Sequence, residues 1–450
     1  MTYTAVGSPD TVISDAELRS HLETALVRLG PRRNVIAVPP DMSRYHSRAG
    51  RITRMVWEHY GDALGAVLPA IGTHFPMSDR ELDDMYAGVP RQLFRVHDWQ
   101  ADLATLGRVP GEFIRQVSEG RLDFDWPAQV NSALAEGGHD LILSVGQVVP
   151  HEVTGMANHS KNIFIGTGGR EGIHKSHYLG AVCDMERIMG RVDTPVRHVL
   201  NYAAERFAAA LPIVYVLTVI GRDRAGELVL RGVFIGDDED CFRRAAGLSQ
   251  QVNVTTVPEA LDTVVVYLDP AEYRSTWIGN KAVYRSRMAL ADSGRLIVLA
   301  PGVHTFGENR EIDEHIRANG YIGTDGVIER VERDRERVGS GDSARNQSGR
   351  DGSSGGGAGL AGNLAAAAHL IHGSAEGRFT ITYCAGGLSR DEIEGVGYEY
   401  ADVEAMSERY LPADRRIGMH TTADGETYYF ISNPGLGLWS TAERLGDGAG

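Results

Sequence analysis

The chain has 450 residues, of which 42% are hydrophobic and 23% charged, and this length predicts two or three globular domains. Its formal net charge of −15 disfavours nucleic acid and anionic membranes as partners, because both carry negative charge themselves. The three cysteines lack the paired spacing of a disulfide framework or a zinc ribbon. The amino-terminal stretch has no basic and apolar leader, and no apolar run approaches the roughly 18 residues of a membrane span. We therefore expect a cytoplasmic protein.

The first predicted element is an amphipathic helix from Asp15 to Leu29. Ser14 and Glu17 form a capping box at its start, and Gly30 follows its last turn as a stop signal. Beyond this helix, short apolar runs alternate with helical stretches and with loops rich in polar residues. Such alternation predicts an α/β fold whose sheet is largely parallel.

Each apolar run is predicted to be a strand. In chain order the runs are 34–38, 64–71, 140–146, 212–220, 262–269, 295–302, 378–384 and 428–435. The fourth run and the segment ELVLRGVFIGD that follows it predict an antiparallel hairpin. A second capping box, Ser78 with Glu81, starts a helix after the second run.

The pattern restarts after the hairpin, and this restart predicts two α/β domains with mostly parallel sheets. We expect an N-terminal domain over 1–270 and a C-terminal domain over 271–450, with the active site in the cleft between them. The Gly- and Ser-rich segment at about 339–359 predicts a flexible surface loop within the second domain. In parallel sheets, ligands gather beyond the carboxyl ends of the strands, so the loops that follow the strands are the candidate sites.

Two such loops carry chemically committed residues. Asp41 and Arg44 follow the strand at 34–38, and a carboxylate and a guanidinium at this spacing can hold polar ligand groups. His74 follows the strand at 64–71 and precedes a capped helix, whose N-terminus favours a neutral imidazole that can act as a base. Taken singly, each loop is more often stabilised by a local ion pair or by a hydrogen bond to the backbone.

The segment 150–180 is the richest, with four histidines and six glycines. His174 and His177 are three residues apart, a spacing that places both on one helical face and suits a metal. No CxxC or HExxH pattern accompanies them, and the glycines match neither a P-loop nor a dinucleotide fingerprint. A solvated loop is a poor interpretation of so dense a segment, so we expect a functional site here.

A lysine, Lys281, lies in the helix-like segment 277–294 with Arg285 and Arg287 close behind. A lysine ammonium can bind a substrate carboxylate as a point charge. An ordinary exposed lysine on a helix is the commoner case, and the residues alone leave both interpretations open.

In this order and at these separations, the motifs resemble the lactate racemase family. That family has an Asp-x-x-Arg loop, then a Gly-Thr-His loop, and then a Pro-His motif followed by a lysine and a further histidine. Here the third motif is His151, Lys161 and His177, at separations of ten and sixteen residues. The resemblance covers roughly residues 30–300 and is weaker afterwards.

The resemblance implies a role for each matching residue. By similarity, Asp41, Ser43, Arg44 and Lys161 would bind a nickel-pincer nucleotide, that is, pyridinium-3,5-bisthiocarboxylic acid mononucleotide with nickel. His177 would ligate the nickel, with His174 as the alternative, and the attachment to Lys161 is left open between covalent and non-covalent. His74 and His151 would be the two acid/base groups, and Arg44, Lys281 and Trp277 would contact the substrate.

The activity implied is that of an isomerase, a racemase or epimerase that inverts C2 of a small anionic 2-hydroxy acid by reversible hydride transfer. Such a cofactor also implies accessory proteins that synthesise it. Where relatives carry a Tyr-Gln pair before the substrate lysine, this chain has Trp277-Ile278, which suggests a sugar acid or a longer hydroxy acid rather than lactate. Two alternatives are a metal-dependent hydrolase built on the His151–His177 cluster and a non-catalytic protein that binds hydroxy acids.

Overall fold

The computed structural model describes residues 1–339 and 359–446. The Gly- and Ser-rich segment predicted as a flexible loop, 339–359, therefore lies outside the described residues except at its two ends. Two compact units are present: the first comprises residues 1–179 and 188–254, and the second comprises residues 180–187 and 255–450. No helix within the described ranges combines the length and the apolar character that a membrane crossing requires.

The elements up to residue 254 are ten strands and ten helices among the described residues. The strands are β1 (Thr2–Gly7), β2 (Val35–Val38), β3 (Leu64–Val67), β4 (Leu103–Val109), β5 (Trp126–Asn131), β6 (Leu141–Gln147), β7 (Pro150–His151), β8 (Gly155–Met156), β9 (Ile213–Arg222) and β10 (Leu228–Gly236). The helices are α1 (Asp15–Leu29), α2 (Ala49–Tyr60), α3 (Asp79–Met85), α4 (Gly111–Val117), α5 (Ser132–Glu136), α6 (Ser160–Phe164), α7 (Arg170–Val182), α8 (Met185–Ile188), α9 (Pro195–Phe207) and α10 (Glu239–Asn253).

The main sheet of the first unit has the strand order β1-β10-β9-β6-β2-β3. The neighbours β9-β6, β6-β2 and β2-β3 are parallel, whereas β1-β10 and β10-β9 are antiparallel. The predicted hairpin is therefore confirmed as β9 and β10. The strand predicted over 64–71 ends at Val67, since Pro69 cannot donate a backbone hydrogen bond to a ladder.

One face of this sheet is covered by α1 and α2. Helix α1 has the predicted bounds, with the Ser14–Glu17 capping box present and Gly30 closing the last turn at φ 77°. Leu18, Leu22 and Leu26 recur every four residues along α1, so they lie on one side of the helix and are fully buried in the core. The position of α1 thus follows directly from its apolar periodicity.

The elements from residue 254 onwards complete the second unit. The strands are β11 (Val254–Val257), β12 (Leu261–Tyr267), β13 (Leu290–Ala300), β14 (Thr380–Ala385), β15 (Glu399–Tyr400), β16 (Gly418–Thr421), β17 (Thr427–Ile431) and β18 (Leu438–Thr441). The helices are α11 (Thr276–Gly279), α12 (Lys281–Ser286), α13 (Arg310–Asn319), α14 (Gly323–Gly339), α15 (Gly359–Gly362), α16 (Leu364–His372), α17 (Arg390–Gly395), α18 (Val403–Tyr410) and α19 (Ala442–Leu445).

The sheet of the second unit has the order β15-β14-β13-β12-β17-β16, and only the β16-β17 pair is antiparallel. An α/β fold with mostly parallel sheets is thereby confirmed. The expected domain boundary lay near residue 270, whereas the compact units divide between Val254 and Thr255, because β12 pairs with β13 in the second sheet. The helix-like segment 277–294 is not one helix, since α11 and α12 are separated at Asn280 and β13 begins at Leu290.

Candidate active site

Three parallel strands of the first unit deliver the candidate residues to one edge of the sheet. β6, β2 and β3 are adjacent and parallel, so their carboxyl ends meet at the same edge. Asp41 follows β2, His74 follows β3, and His151 follows β6. The loops are tied to each other as well, because Ala70 donates its backbone N–H to the carbonyl of Pro39 at 2.7 Å.

Asp41 and His74 form a hydrogen-bonded pair. His74 Nδ1 lies 2.6 Å from Asp41 Oδ2, while the backbone N–H and the hydroxyl of Ser43 donate to Asp41 Oδ1. Burial alone would raise the pKa of Asp41, but the hydrogen bonds from His74 and Ser43 outweigh it and lower that pKa. An ionised carboxylate can only accept, so Nδ1 of His74 carries a proton, and a neutral ring in this tautomer has its lone pair at Nε2.

His151 has the opposite arrangement. It lies in the two-residue strand β7, paired with Gly155 of β8, and it is only 7% exposed. The backbone N–H of Val153 donates to His151 Nδ1 at 3.1 Å, so Nδ1 must hold a lone pair and Nε2 must carry the proton. Burial lowers the pKa of His151 well below its ordinary value, so the ring is neutral at pH 7.

Lys161 is the second residue of the short helix α6. Its neighbour Asn162 donates from the side-chain amide to the carbonyl of Val38 and to the hydroxyl of Ser144, both at 3.0 Å. Burial, reinforced by the positive charge of Arg44, lowers the pKa of the Lys161 amine to about 8. About a tenth of the amine is therefore unprotonated at pH 7 and able to react as a nucleophile, far more than for an ordinary lysine.

His177 lies on α7, where its Nδ1 is 2.7 Å from the carbonyl oxygen of Ile173. A carbonyl only accepts, so Nδ1 donates, and the neutral ring presents a lone pair at Nε2. Burial lowers the pKa of His177 and keeps this neutral form. One turn earlier, burial and the neighbouring charges of His177 and Arg170 lower the pKa of His174 to about 4. The hydrogen bond from His177 Nδ1 to Ile173 orients the ring in a way that is typical of a metal-binding histidine.

Electrostatic interactions connect these residues into a single group. Burial has the largest effect on the pKa of His151. The charge of Glu152 raises this pKa, and interactions with Lys161, Arg44 and His177 lower it. Burial also has the largest effect on the pKa of His177. The bond to Ile173 and the charge of Glu152 raise this pKa, and interactions with Lys161 and His74 lower it. Side chains as far apart in sequence as His74 and His177 thus act on one another within the first unit.

Glu152 is a member of this group that the sequence interpretation missed. Its carboxylate raises the pKa of both His151 and His177. Its position directly after His151 was the available signal. A carboxylate beside two imidazoles and an amine balances part of the positive charge of the site.

Ser43 and Arg44 lie in the 3-10 helix Met42–Ser47, for which Asp41 is the N-cap. Ser43 orients the Asp41 carboxylate, and Arg44 acts electrostatically on His151 and on Lys161. Both residues are thus part of the Asp41 loop, next to the two basic groups.

Trp277 and Lys281 belong to the second unit, on α11 and α12. The indole of Trp277 stacks on the imidazole of His369, with ring centroids 4.4 Å apart and an interplanar angle of 29°. Lys281 has its ammonium 5.9 Å from the ring centroid of Tyr273. The stacking fixes the Trp277 ring, so α11 presents a rigid aromatic group.

The donor set fits one metal contact from the protein rather than a complete protein site. Within 1–339 and 359–446, no three His, Cys, Asp or Glu side chains gather so that they could hold a metal ion. His177 nonetheless offers an oriented lone pair, and Lys161 offers a reactive amine. These two groups suit a metal whose remaining ligands come from an organic cofactor, and they give no support to a hydrolase that relies on protein ligands alone.

Comparison with known proteins agrees with this arrangement. Residues 15–190, which contain the Asp41, His74, His151, Lys161 and His177 positions, match one protein family. That family is described as the lactate racemase N-terminal domain. The resemblance drawn from the sequence motifs is thereby confirmed, and the described group of side chains lies within the matched segment.

Solved structures with the same fold extend over nearly the whole chain. A crystal structure of a protein from Thermotoga maritima has a TM-score of 0.73 and 22% identity, covering 97% of this chain and 100% of that one. The lactate racemase apoprotein from Thermoanaerobacterium thermosaccharolyticum has a TM-score of 0.66 and 14% identity, covering 97% and 94%. No curated protein matches. At these identities the structures establish the shared fold.

Proposed function

We propose that this protein is a racemase or epimerase of 2-hydroxy acids that works with a nickel-pincer nucleotide. The proposal rests on one observation above all: two imidazoles whose Nδ1 atoms have opposite hydrogen-bonding roles belong to the same group as a buried lysine amine. Inversion at C2 of a hydroxy acid requires a proton acceptor and a proton donor for the hydroxyl group, and His74 and His151 match these needs.

His74 is the proton acceptor in the resting state. Its Nε2 lone pair takes the hydroxyl proton of the substrate, and the ring becomes an imidazolium. The Asp41 carboxylate, 2.6 Å from Nδ1, stabilises that imidazolium and holds the ring in the required tautomer. Asp41 stays ionised near neutral pH because its hydrogen bonds lower its pKa.

His151 is the hydrogen-bond donor of the pair. With Nδ1 occupied by the N–H of Val153, the ring offers a proton only at Nε2. In the opposite direction of the reaction the two histidines exchange roles, which requires His151 to release the hydrogen bond from Val153, so that Nδ1 gains a proton as Nε2 gives up its own and then offers a lone pair. Glu152 assists this exchange, because its charge favours the protonated ring.

The substrate carboxylate needs a cation, and Arg44 in the first unit and Lys281 in the second are the candidates. A guanidinium binds a carboxylate through two parallel hydrogen bonds, while an ammonium acts as a point charge. A local cation is required because the chain as a whole carries a net charge of −15 and repels an anionic substrate.

Lys161 and His177 would hold the cofactor, the first through its amine and the second through its Nε2 lone pair on nickel. When bound, the cofactor supplies an electrophilic pyridinium ring that accepts hydride from C2 and returns it. The fold contributes position and burial, since Asn162, next to Lys161, is bonded to Val38 and Ser144, and His177 is bonded to Ile173. Loading requires the accessory proteins that make the cofactor.

The substrate class extends beyond lactate in this proposal. Trp277 occupies the position before the substrate lysine where relatives carry Tyr-Gln, and its ring is held against His369. An indole provides a broad apolar face, which suits a hydroxy acid with a longer carbon chain or a sugar acid.

Three alanine variants of the cofactor-loaded protein test the assignment. We expect His74→Ala and His151→Ala to reduce racemisation by about 10²–10⁴-fold while nickel content stays unchanged, because each removes one acid/base group. We expect His177→Ala to lose nickel, as measured by elemental analysis. Near-normal turnover in either of the first two variants would contradict the proposed pair, and nickel retained by His177→Ala would transfer the ligand role to His174.

A further inference from the structure

The loop that leads into Lys161 has an unusual backbone. Asn158 and His159 have φ angles of 71° and 58°, so two consecutive residues with side chains adopt left-handed conformations. Each such residue costs roughly 1–2 kcal/mol, and it persists only where the surrounding structure holds it. His159 is also the N-cap residue of α6, but its side chain makes no capping hydrogen bond. The conformation of this loop therefore needs support from elsewhere in the fold.

Arg197 provides that support. From the first turn of α9 it donates to the carbonyls of Met156 at 2.5 Å and Asn158 at 3.2 Å, and to the hydroxyl of Ser160 at 3.0 Å. Its side chain is 1% exposed, so a charged group has been buried to make these bonds. One turn further along α9, Asn201 accepts the Ser160 hydroxyl at 3.2 Å, which attaches the start of α6 a second time.

Aromatic packing reinforces the same loop. The guanidinium carbon of Arg197 lies 4.3 Å from the ring centroid of Phe242, and the Phe242 ring stacks on His159 with centroids 5.1 Å apart. Tyr215 closes the other side of His159 at 4.0 Å. The result is a layered stack of four side chains that begins at Arg197 and contains the strained residue His159.

Lys161 is thus bracketed by two anchors. Ser160 before it is held by Arg197 and Asn201, and Asn162 after it is held by Val38 and Ser144. We infer that Arg197 is the positioning residue for Lys161: it fixes the left-handed loop so that the lysine amine is presented to the buried His151–His177 group. The importance of this position for a cofactor rests on the proposed function, whereas the placement of the amine itself does not.

Amine labelling of the cofactor-free protein tests the inference. The chain has only three lysines, Lys161, Lys175 and Lys281, so trace acylation followed by peptide mass spectrometry reads each amine separately. Lys175, which is paired with Glu171 at 2.6 Å, is an internal reference. We expect labelling of Lys161 to rise with a midpoint near pH 8, because burial lowers its pKa to about 8.

In Arg197→Met, the freed loop should let the Lys161 amine reach water, and the loss of the Arg197 charge, which itself lowers the pKa of Lys161, acts in the same direction, so the midpoint should rise by at least one pH unit. The labelling rate of Lys161 relative to Lys175 at pH 7 would then fall about tenfold. Arg197→Lys keeps a positive charge but loses the two guanidinium nitrogens that bond the loop, and it should show most of the same shift in the Lys161 midpoint. If Arg197→Lys behaves like the unaltered chain, charge rather than geometry governs the amine and the inference is wrong.

Arg231→Met is the matched control. Arg231 is also buried, at 7% exposure, and also donates to two carbonyls, those of Thr11 and Arg222. We expect it to lower thermal stability without moving the Lys161 midpoint. A folded Arg197→Met with an unchanged midpoint would reduce Arg197 to the same purely structural role and overturn the inference.

If Arg197→Met fails to fold, Asn201→Ala decides, because it removes only the second anchor of Ser160. We expect a smaller upward shift of the Lys161 midpoint, and no shift would overturn the inference. Failure of the proposed function is distinguishable, since it would leave the labelling result intact while the loaded protein shows no epimerisation.

Discussion

The two candidate acid/base histidines differ in what occupies Nδ1. For His74 the partner is the Asp41 carboxylate, and for His151 it is the backbone N–H of Val153. The carboxylate accepts a hydrogen bond and the N–H donates one, so the neutral forms of the two rings are opposite tautomers. Neither partner could be identified from sequence spacing, because a tautomer depends on contacts that only the folded chain provides.

Asp41→Asn tests the hydrogen-bonded pair of Asp41 and His74. The amide keeps the shape of the carboxylate but removes its charge, so it no longer stabilises the His74 imidazolium or fixes the tautomer. We expect racemisation to fall by about 10²–10⁴-fold with nickel content unchanged. Asp62→Asn, an exposed acidic residue of the same unit, should leave the rate unchanged. A rate loss of less than about tenfold in Asp41→Asn would show that Asp41 is not the partner on which His74 depends.

At the scale of elements, the position of His151 depends on a two-residue pairing. Gly155, opposite His151, has a φ of 77°, and a Cβ added there would lie 2.2 Å from the carbonyl oxygen of Arg191. A residue with a side chain would therefore meet both backbone strain and a steric clash. Gly120, with a φ of 86°, has open space around the same position.

We expect Gly155→Ala to destabilise the protein by clearly more than Gly120→Ala. The control carries only the backbone penalty of roughly 1 kcal/mol, whereas Gly155→Ala adds displacement of the chain around Arg191. Urea unfolding measures the difference, and activity should fall only in Gly155→Ala. Equal stability losses would indicate that the hairpin moves without cost and does not fix His151.

Local elements were predictable where their signals are local. The capping box of Ser14 and Glu17 spans four residues, and the helix it opens has the expected bounds. The loops after three strands were recognised as candidate sites because parallel strands end at one edge. By contrast, Arg197 reaches Met156 across 41 residues, and no local pattern announces a contact between two elements so far apart.

The second unit shows a similar limit. The segment 277–294 was predicted to be helix-like throughout. In the structure the helix is interrupted at Asn280, between α11 and α12, and β13 begins at Leu290. Intrinsic preference was overridden by pairing of β13 with β12 and β14 in the sheet. The roles of Trp277 and Lys281 toward a substrate remain predictions, drawn from the resemblance.

For the whole molecule, buried neutral histidines make stability depend on pH. Burial lowers the pKa of His159 and of His369 to about 3, against about 6.5 in the unfolded chain. Below pH 6.5 the unfolded chain therefore binds protons that the folded chain does not, so stability is fully present above pH 6.5 and is lost as the pH falls. At pH 5 each of these two histidines lowers the free energy of unfolding by about 2 kcal/mol relative to neutral pH.

We expect the urea midpoint, followed by circular dichroism, to fall between pH 7.5 and pH 5. His159→Phe keeps an aromatic ring between Tyr215 and Phe242 but cannot be protonated, so its midpoint should depend less on pH. An identical pH dependence in the variant and the unaltered chain would show that the His159 ring is already accessible to protons in the folded state.

The proposed inversion of a hydroxy acid at C2 depends on the movement of a hydride. The most direct test incubates the cofactor-loaded protein with enantiopure hydroxy acids, including sugar acids, in D₂O and follows C2 by NMR. A hydride does not exchange with solvent, so the opposite configuration should form with protium retained at C2. Absence of inversion with every acid, or deuterium at C2 of the product, would contradict the account.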